Sequence, residues 1–170
     1  MVRRFTRFAA LVAVGSTALA GCSSDQEAPV AVVSTVRMAI VAGAEHGGAP
    51  FTTGMTQEVT HTPAWTGDAD GTGSALITVN RGQREVCWDV SVADIQLPAT
   101  ASHIHRADPG IRGPIVIALS APGAAGSAAG CASDVDPALL KELVESPGSF
   151  YVNVHNATYG AGAVRGQLAR

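Results

Sequence analysis

The 170-residue chain is short of positive charge and of cysteine. It carries 11 Lys and Arg against 14 Asp and Glu, and three Cys. A net-acidic chain has no electrostatic reason to bind nucleic acid or anionic lipid. The apolar run nearest the start, Phe8 to Val14, is too short to span a bilayer comfortably. No Gly-x-Ser-x-Gly turn presents a nucleophilic serine. These shortages exclude a nucleic-acid binder and leave nucleophilic catalysis with little support.

What is present begins with an address. Arg3, Arg4 and Arg7 precede the apolar run, and small residues follow it. That is the build of a secretory signal peptide over residues 1–21. The closing Leu19-Ala20-Gly21-Cys22 resembles the bacterial lipobox. The resemblance implies cleavage before Cys22, a lipid (palmitate among its chains) on the Cys22 thiol, and a tether through Ser23, Ser24 and Asp25. Such a chain would sit on the extracytoplasmic face of a bacterial cell membrane. Its attachment would come from acyl chains, each buried CH₂ giving about 0.8 kcal/mol. Loss of three of the eleven basic residues and none of the acidic ones makes the mature chain more acidic still.

Cys87 and Cys131 then remain, 44 positions apart. Outside the cytoplasm an isolated pair is most simply a disulfide. Two free thiols, or a metal pair with a histidine, are the alternatives.

Residues 30–41, VAVVSTVRMAIV, read as an edge strand or packed segment, and 42–50 as a turn or loop. Phe51–Thr60 alternates weakly. Residues 62–73 and 122–130 read as loops, rich in turn formers and in small residues respectively. Residues 74–80 and 84–92 read as a hairpin, with Val86, Trp88 and Val90 on one face and Cys87, Asp89 and Ser91 on the other. Residues 101–106 form a short alternating strand. PIVIALS, 114–120, is nearly continuous apolar sequence and so reads as a central strand. Residues 150–156 and 163–169 make a second hairpin-like pair. One helix is expected over 136–148, with Asp136 as N-cap, Pro137 at its first position and Pro147-Gly148 as its stop. The expectation is an all-β domain, an antiparallel β-sandwich or Greek-key-like barrel with one short helix in a connection.

The sequence also echoes itself. His105-Arg106-Ala107-Asp108-Pro109-Gly110 returns as His155-Asn156-Ala157-Thr158-Tyr159-Gly160, and each is followed by an Arg-Gly pair, Arg112-Gly113 and Arg165-Gly166. Both stretches read as hairpins in similar positions. With AEHGGAPFTTGMTQEV, GDADGTGSALITVN, EVCWDV, ASHIHRADPGIRGPIVIAL, the Gly130-Cys131 step and FYVNVHNATYGAGAVRGQL, the chain resembles a CHRD domain from about Ala44 to Arg170. In that reading residues 22–43 carry the lipid, the tether and an N-terminal segment. One departure is Thr60 after Glu58-Val59, where the family often has proline. The resemblance implies an extracellular, largely β module that binds or interacts, and supplies no catalytic residues.

Three histidines are the main chemical candidates. His103 and His105 share one strand face, and His155 shares its own with Tyr151 and Asn153. If the strands are neighbours, the three imidazoles converge on a copper or zinc site, with Asp108 or Asn153 holding a second ring nitrogen. The His-x-His strand resembles, locally, the copper strand of Cu/Zn superoxide dismutase. The alternatives are rings that bond turn carbonyls and fix the hairpins, or a partner-binding or pH-sensitive surface. His46 and His61 sit in loops without that enzyme's spacing. Arg112 and Arg165 would clamp an anion if they converge, or else bond carbonyls at turns. Asp68, Asp70, Thr72 and Gly73 begin like an EF-hand loop, but Val79 falls where a bidentate Glu is required. Glu142 and Glu145 read as a solvated helix face. The expected function is a non-enzymatic, membrane-anchored binding module for an extracytoplasmic protein or envelope ligand, without a cofactor. The alternative is a copper or zinc protein with dismutase-like chemistry.

Overall fold

The computed structural model describes residues 47–61 and 63–170. The signal segment, Cys22, the tether, the 30–41 segment and His46 lie outside the described residues. Within them run β1 (Ala49–Gln57), β2 (Val59–His61), β3 (Ala64–Thr66), β4 (Thr72–Asn80), β5 (Glu85–Ala93), β6 (Ala101–Arg106), β7 (Ile115–Leu119), β8 (Ser127–Ala132), α1 (Pro137–Glu145), β9 (Phe150–His155) and β10 (Val164–Gln167). Eight strands form one antiparallel sheet in the order β7-β6-β9-β10-β1-β4-β5-β8, and β2-β3 stand apart as a small hairpin. The sheet curls until its end strands β7 and β8 approach each other. The fold is therefore all-β and nearly closed into a barrel.

A single core fills the interior. Val86, Trp88 and Val90 of β5 face it, as their alternation predicts, with Ile77 and Val79 of β4, Ile104 of β6 and Phe150, Val152 and Val154 of β9. In β1 the inward positions are Phe51, Thr53 and Met55. The helix forms where its signals place it: Asp136 accepts from the Ala138 N–H at 2.8 Å, Pro137 opens it, and a 3₁₀ turn over Pro147–Ser149 follows. Leu140 and Leu143 are fully buried in the same core, while Leu139 and Val144 are half-buried against it.

Four expectations fail. Ile115–Leu119 is not central: β7 ends the sheet order, and Ile115 is 53% exposed. Its apolar run reflects packing against β6 and the barrel seam rather than two covered faces. The 122–130 loop contains most of β8, and the 62–73 loop contains β3. Ser127–Ala132 has no β-forming composition, so pairing with β5 over six residues defines it as a strand. The expected 42–50 loop also gives up Ala49 and Pro50 to β1.

Within that pairing Cys87 stands directly opposite Cys131, and the two are joined by a disulfide on the face away from the core. The bond ties β8 to β5 next to the barrel seam. Cys87→Ala/Cys131→Ala should lower the unfolding free energy by about 2–4 kcal/mol, read from denaturant midpoints at constant slope. An unchanged midpoint would show that the bond adds nothing beyond the strand pairing.

Candidate functional site

β6 and β9 pair antiparallel, Ala101 against His155, His103 against Asn153 and His105 against Tyr151. β7 hairpins onto β6 on one side and β10 onto β9 on the other. The two echoed sequence frames are thus two hairpins back to back, related by a local two-fold that passes between His103 and Asn153. The same two-fold carries the position of His105 onto that of His155. Ile104, Val152 and Val154 face the core, so the three histidines share the opposite face. Ser102 is on the core side, wholly buried, with its hydroxyl donating to the Asn153 carbonyl at 3.2 Å. It cannot act together with its neighbour His103.

The rings are brought together. His103 Nδ1 lies 3.1 Å from His155 Nε2, and one nitrogen from each of His103, His105 and His155 falls within 4.8 Å of the others. Two rings are also held from behind. His105 Nδ1 is 2.8 Å from the Gly113 carbonyl, and His155 Nδ1 is 3.2 Å from the Gly160 carbonyl. A carbonyl only accepts, so both Nδ1 atoms carry the hydrogen and both Nε2 atoms carry a lone pair. Each glycine belongs to the turn of the hairpin that its histidine opens. These carbonyls, and not the Asp108 carboxylate, partner the Nδ1 atoms, while the Asn153 amide also acts on the His105 ring. The other cluster with metal-ligand chemistry, Glu85 with Cys87 and Cys131, has both its sulfurs in the disulfide.

The surroundings are built from residues that turn inward. Tyr151 stacks on His105, their centroids 4.8 Å apart and planes 6° apart, and its hydroxyl accepts from the Gly113 N–H at 3.3 Å. The Arg165 guanidinium lies 3.3 Å from the Tyr151 ring centre. Arg165 also donates to the carbonyls of Ile111 (2.7 Å) and Asp108 (2.9 Å), so it anchors the 108–111 turn rather than clamping an anion with Arg112. Arg112 is exposed on that turn. Asp108 contributes its backbone carbonyl. His61 closes β2 rather than sitting in a loop, and its backbone N–H bonds the Gly110 carbonyl at 2.9 Å. Asn156, within a glycosylation-like triplet, is 1% exposed and uses Oδ1 to accept the Thr158 and Tyr159 N–H groups.

Behind Asn153 lies a wholly buried carboxylate, Glu58. Its Oε2 accepts from Asn153 Nδ2 at 3.0 Å. The sequence marks Glu58 only as the residue before a family departure, and nothing in its spacing reveals its burial. Five buried side-chain polar atoms are without a hydrogen-bond partner among the described residues, and three of them cluster here: Glu58 Oε1, Asn153 Oδ1 and His105 Nε2. Such atoms each cost free energy when left unpaired. Gly162 closes the back of the pocket with φ +134°, and a Cβ there would run into the Glu58 carboxylate.

Burial sets the electrostatics. Desolvation, then the neighbouring charge of His103, pushes the His155 ring down to about 4; the Gly160 carbonyl opposes this, and His105 and Arg112 add to it. Desolvation also lowers His103, with the His105 charge adding to it. For His105 desolvation dominates, opposed by the Gly113 carbonyl and the Asn153 amide and reinforced by Arg165 and Arg112. At neutral pH all three rings are neutral. Desolvation raises the Glu58 carboxyl, opposed by the Asn153 bond and by Arg165 and Arg112.

The family model of the CHRD domain matches residues 51–168, from β1 to just past β10. The chain belongs to the CHRD domain family. Membership supports a binding or interaction module, and both histidine-bearing hairpins fall inside the match. No curated protein and no solved structure gave a match.

Two outcomes follow. An unfolded histidine titrates near pH 6.5, above all three native rings, so the unfolded chain binds more protons below that value. Stability of the metal-free CHRD domain should be full above pH 6.5 and fall as pH drops toward 4. Glu58 and Asp68 pull the other way, adding stability at low pH that is lost as pH rises through their raised native values, but they are two groups against three. Denaturant melts at pH 7.5 and 5.0 measure the difference, and His155→Gln should shrink it; a flat profile would contradict the buried-neutral assignment. Gly162→Ala should cost about 2–4 kcal/mol, because strain at positive φ adds to the displaced, buried Glu58. A thermal melt within a degree of the parent would refute that packing.

Proposed function

We propose that this CHRD domain protein is a lipid-anchored, extracytoplasmic binding module that engages a protein or envelope component without catalysing a reaction on it. The observation that carries this reading is the order of parts along the chain: a lipobox-like Leu19–Cys22, the polar residues Ser23–Glu27, the apolar segment 30–41, then the CHRD domain. A diacylated cysteine would hold the domain at the membrane, since two chains bind stably where one binds reversibly. The acidic mature chain adds no attraction to anionic headgroups.

The binding face we assign lies beside the histidines. The turn joining β6 to β7 presents Ile111 (43% exposed), Arg112 and, at its end, Ile115 (53% exposed). Large apolar side chains flanking an arginine are the residue types that anchor protein interfaces. Arg165, Tyr151 and Gly113 hold this turn rigidly to the sheet, so a partner would meet a preformed surface.

The anchor is tested by expressing the whole chain in a bacterial host and fractionating it. The parent should partition with membranes and carry a lipid mass on the Cys22 peptide, while Cys22→Ser should move to the soluble fraction unlipidated. A Cys22→Ser chain that still partitions fully with membranes would defeat the anchor.

A further inference from the structure

We propose that His103, His105 and His155 form a binding site for one copper or zinc ion, held by His105 Nε2, His155 Nε2 and His103 Nδ1. The proposal stands independently of what partner the domain binds and of how the chain is anchored.

Three observations lead to it. One ring nitrogen from each of these histidines lies within 4.8 Å of the other two. The Gly113 and Gly160 carbonyls fix the tautomers of His105 and His155, so their lone pairs are on Nε2. This is the arrangement by which proteins orient metal-binding imidazoles, a carbonyl or carboxylate gripping the far N–H. His105 Nε2 is buried and makes no well-formed hydrogen bond to the protein, although the Asn153 amide acts on the same ring. With Nδ1–H committed to Gly113, its Nε2 lone pair is the atom this ring offers to an ion.

The third ligand needs one proton to move. His155 Nε2 is an acceptor, so His103 Nδ1–H donates across the 3.1 Å between them when no ion is bound. Ion entry displaces that hydrogen. The ring stays neutral if the proton passes from Nδ1 to Nε2 of the same imidazole, and His103 is only half-buried, so its outer edge reaches water. Zinc–imidazole bonds of about 2.0–2.1 Å place tetrahedral ligand nitrogens about 3.3 Å apart. His103 and His155 already have that spacing, and a nitrogen of His105 lies within 4.8 Å of theirs.

The ligand set selects the ion. Three neutral imidazoles suit copper and zinc and disfavour calcium and magnesium, which require oxygen. Three protein ligands leave a fourth position for water or a small anion, the hallmark of an exchangeable rather than a closed site. Glu58 bonds Asn153 and is outside the set of three rings.

The test uses the full chain, stripped with a chelator and titrated separately with Cu(II) and Zn(II). Metal content is measured after gel filtration and affinity by competition with a chromophoric chelator. The expected result is one ion per chain, with nitrogen superhyperfine splitting in the copper electron paramagnetic resonance spectrum if copper is taken. His103→Gln and His105→Gln should each weaken binding by more than about 100-fold, beyond the 10–100-fold carried by residues that only orient a ligand. His61→Gln should bind as the parent does. Circular dichroism establishes that each variant is folded, and half-buried His103 makes its variant the decisive one. Failure of the parent to retain an equimolar ion of either metal overturns the proposal. So does a folded His103→Gln chain that binds as tightly as the parent.

Discussion

The structure around the site depends on the register of β6 against β9. With His103 opposite Asn153, the i, i+2 pair on β6 and His155 on β9 fall on one face within reach of each other. A slip of one residue would turn all of one strand's side chains over. It would put Val152 and Val154 in the pocket and His155 in the core. The register is specified strongly because the reverse face is wholly buried: Ile104, Val152 and Val154 are each 0% exposed. The hydrophobic effect thus positions the histidines indirectly, by fixing the other side of the same strands. The two turns that follow β6 and β9 then supply the carbonyls that orient the rings.

Much of this was legible in the sequence. Val86, Trp88 and Val90 declare a strand by period two, and Asp136-Pro137 declares a helix start by chemistry that acts locally. The repeated His-to-Gly frame declares two similar hairpins. What could not be read is what neighbours impose. Ser127–Ala132 is small and weakly β-forming, and becomes a strand because β5 offers a ladder and Cys87 a covalent partner. Ile115–Leu119 has the apolar run of a central strand, yet the circuit of the barrel puts it at an end. Periodicity reports which faces are buried, not where a strand falls in the order.

The site shows the same division. The three histidines stand out by type and spacing. Glu58 does not, because a lone Glu after a strand is ordinarily solvated and only the folded chain shows it sealed beneath Gly162 and Asn153. Arg165 reads equally as an anion clamp or a turn anchor. Its two carbonyl partners and its contact with Tyr151 decide for the anchor.

Three unpartnered polar atoms gathered around one cluster are hard to account for as packing. Replacing His105, Asn153 and Glu58 with apolar groups of similar shape would remove the unpaired atoms and the desolvated carboxylate together, and buried polar groups exchanged in this way are often neutral or stabilising. Local rules that break together, in one place, with two rings held from behind, support the proposal that this cluster is a site. His105 carries the weight of that argument. Its Nδ1 is satisfied by Gly113 and its ring is clamped by Tyr151, so its Nε2 is an atom held in position.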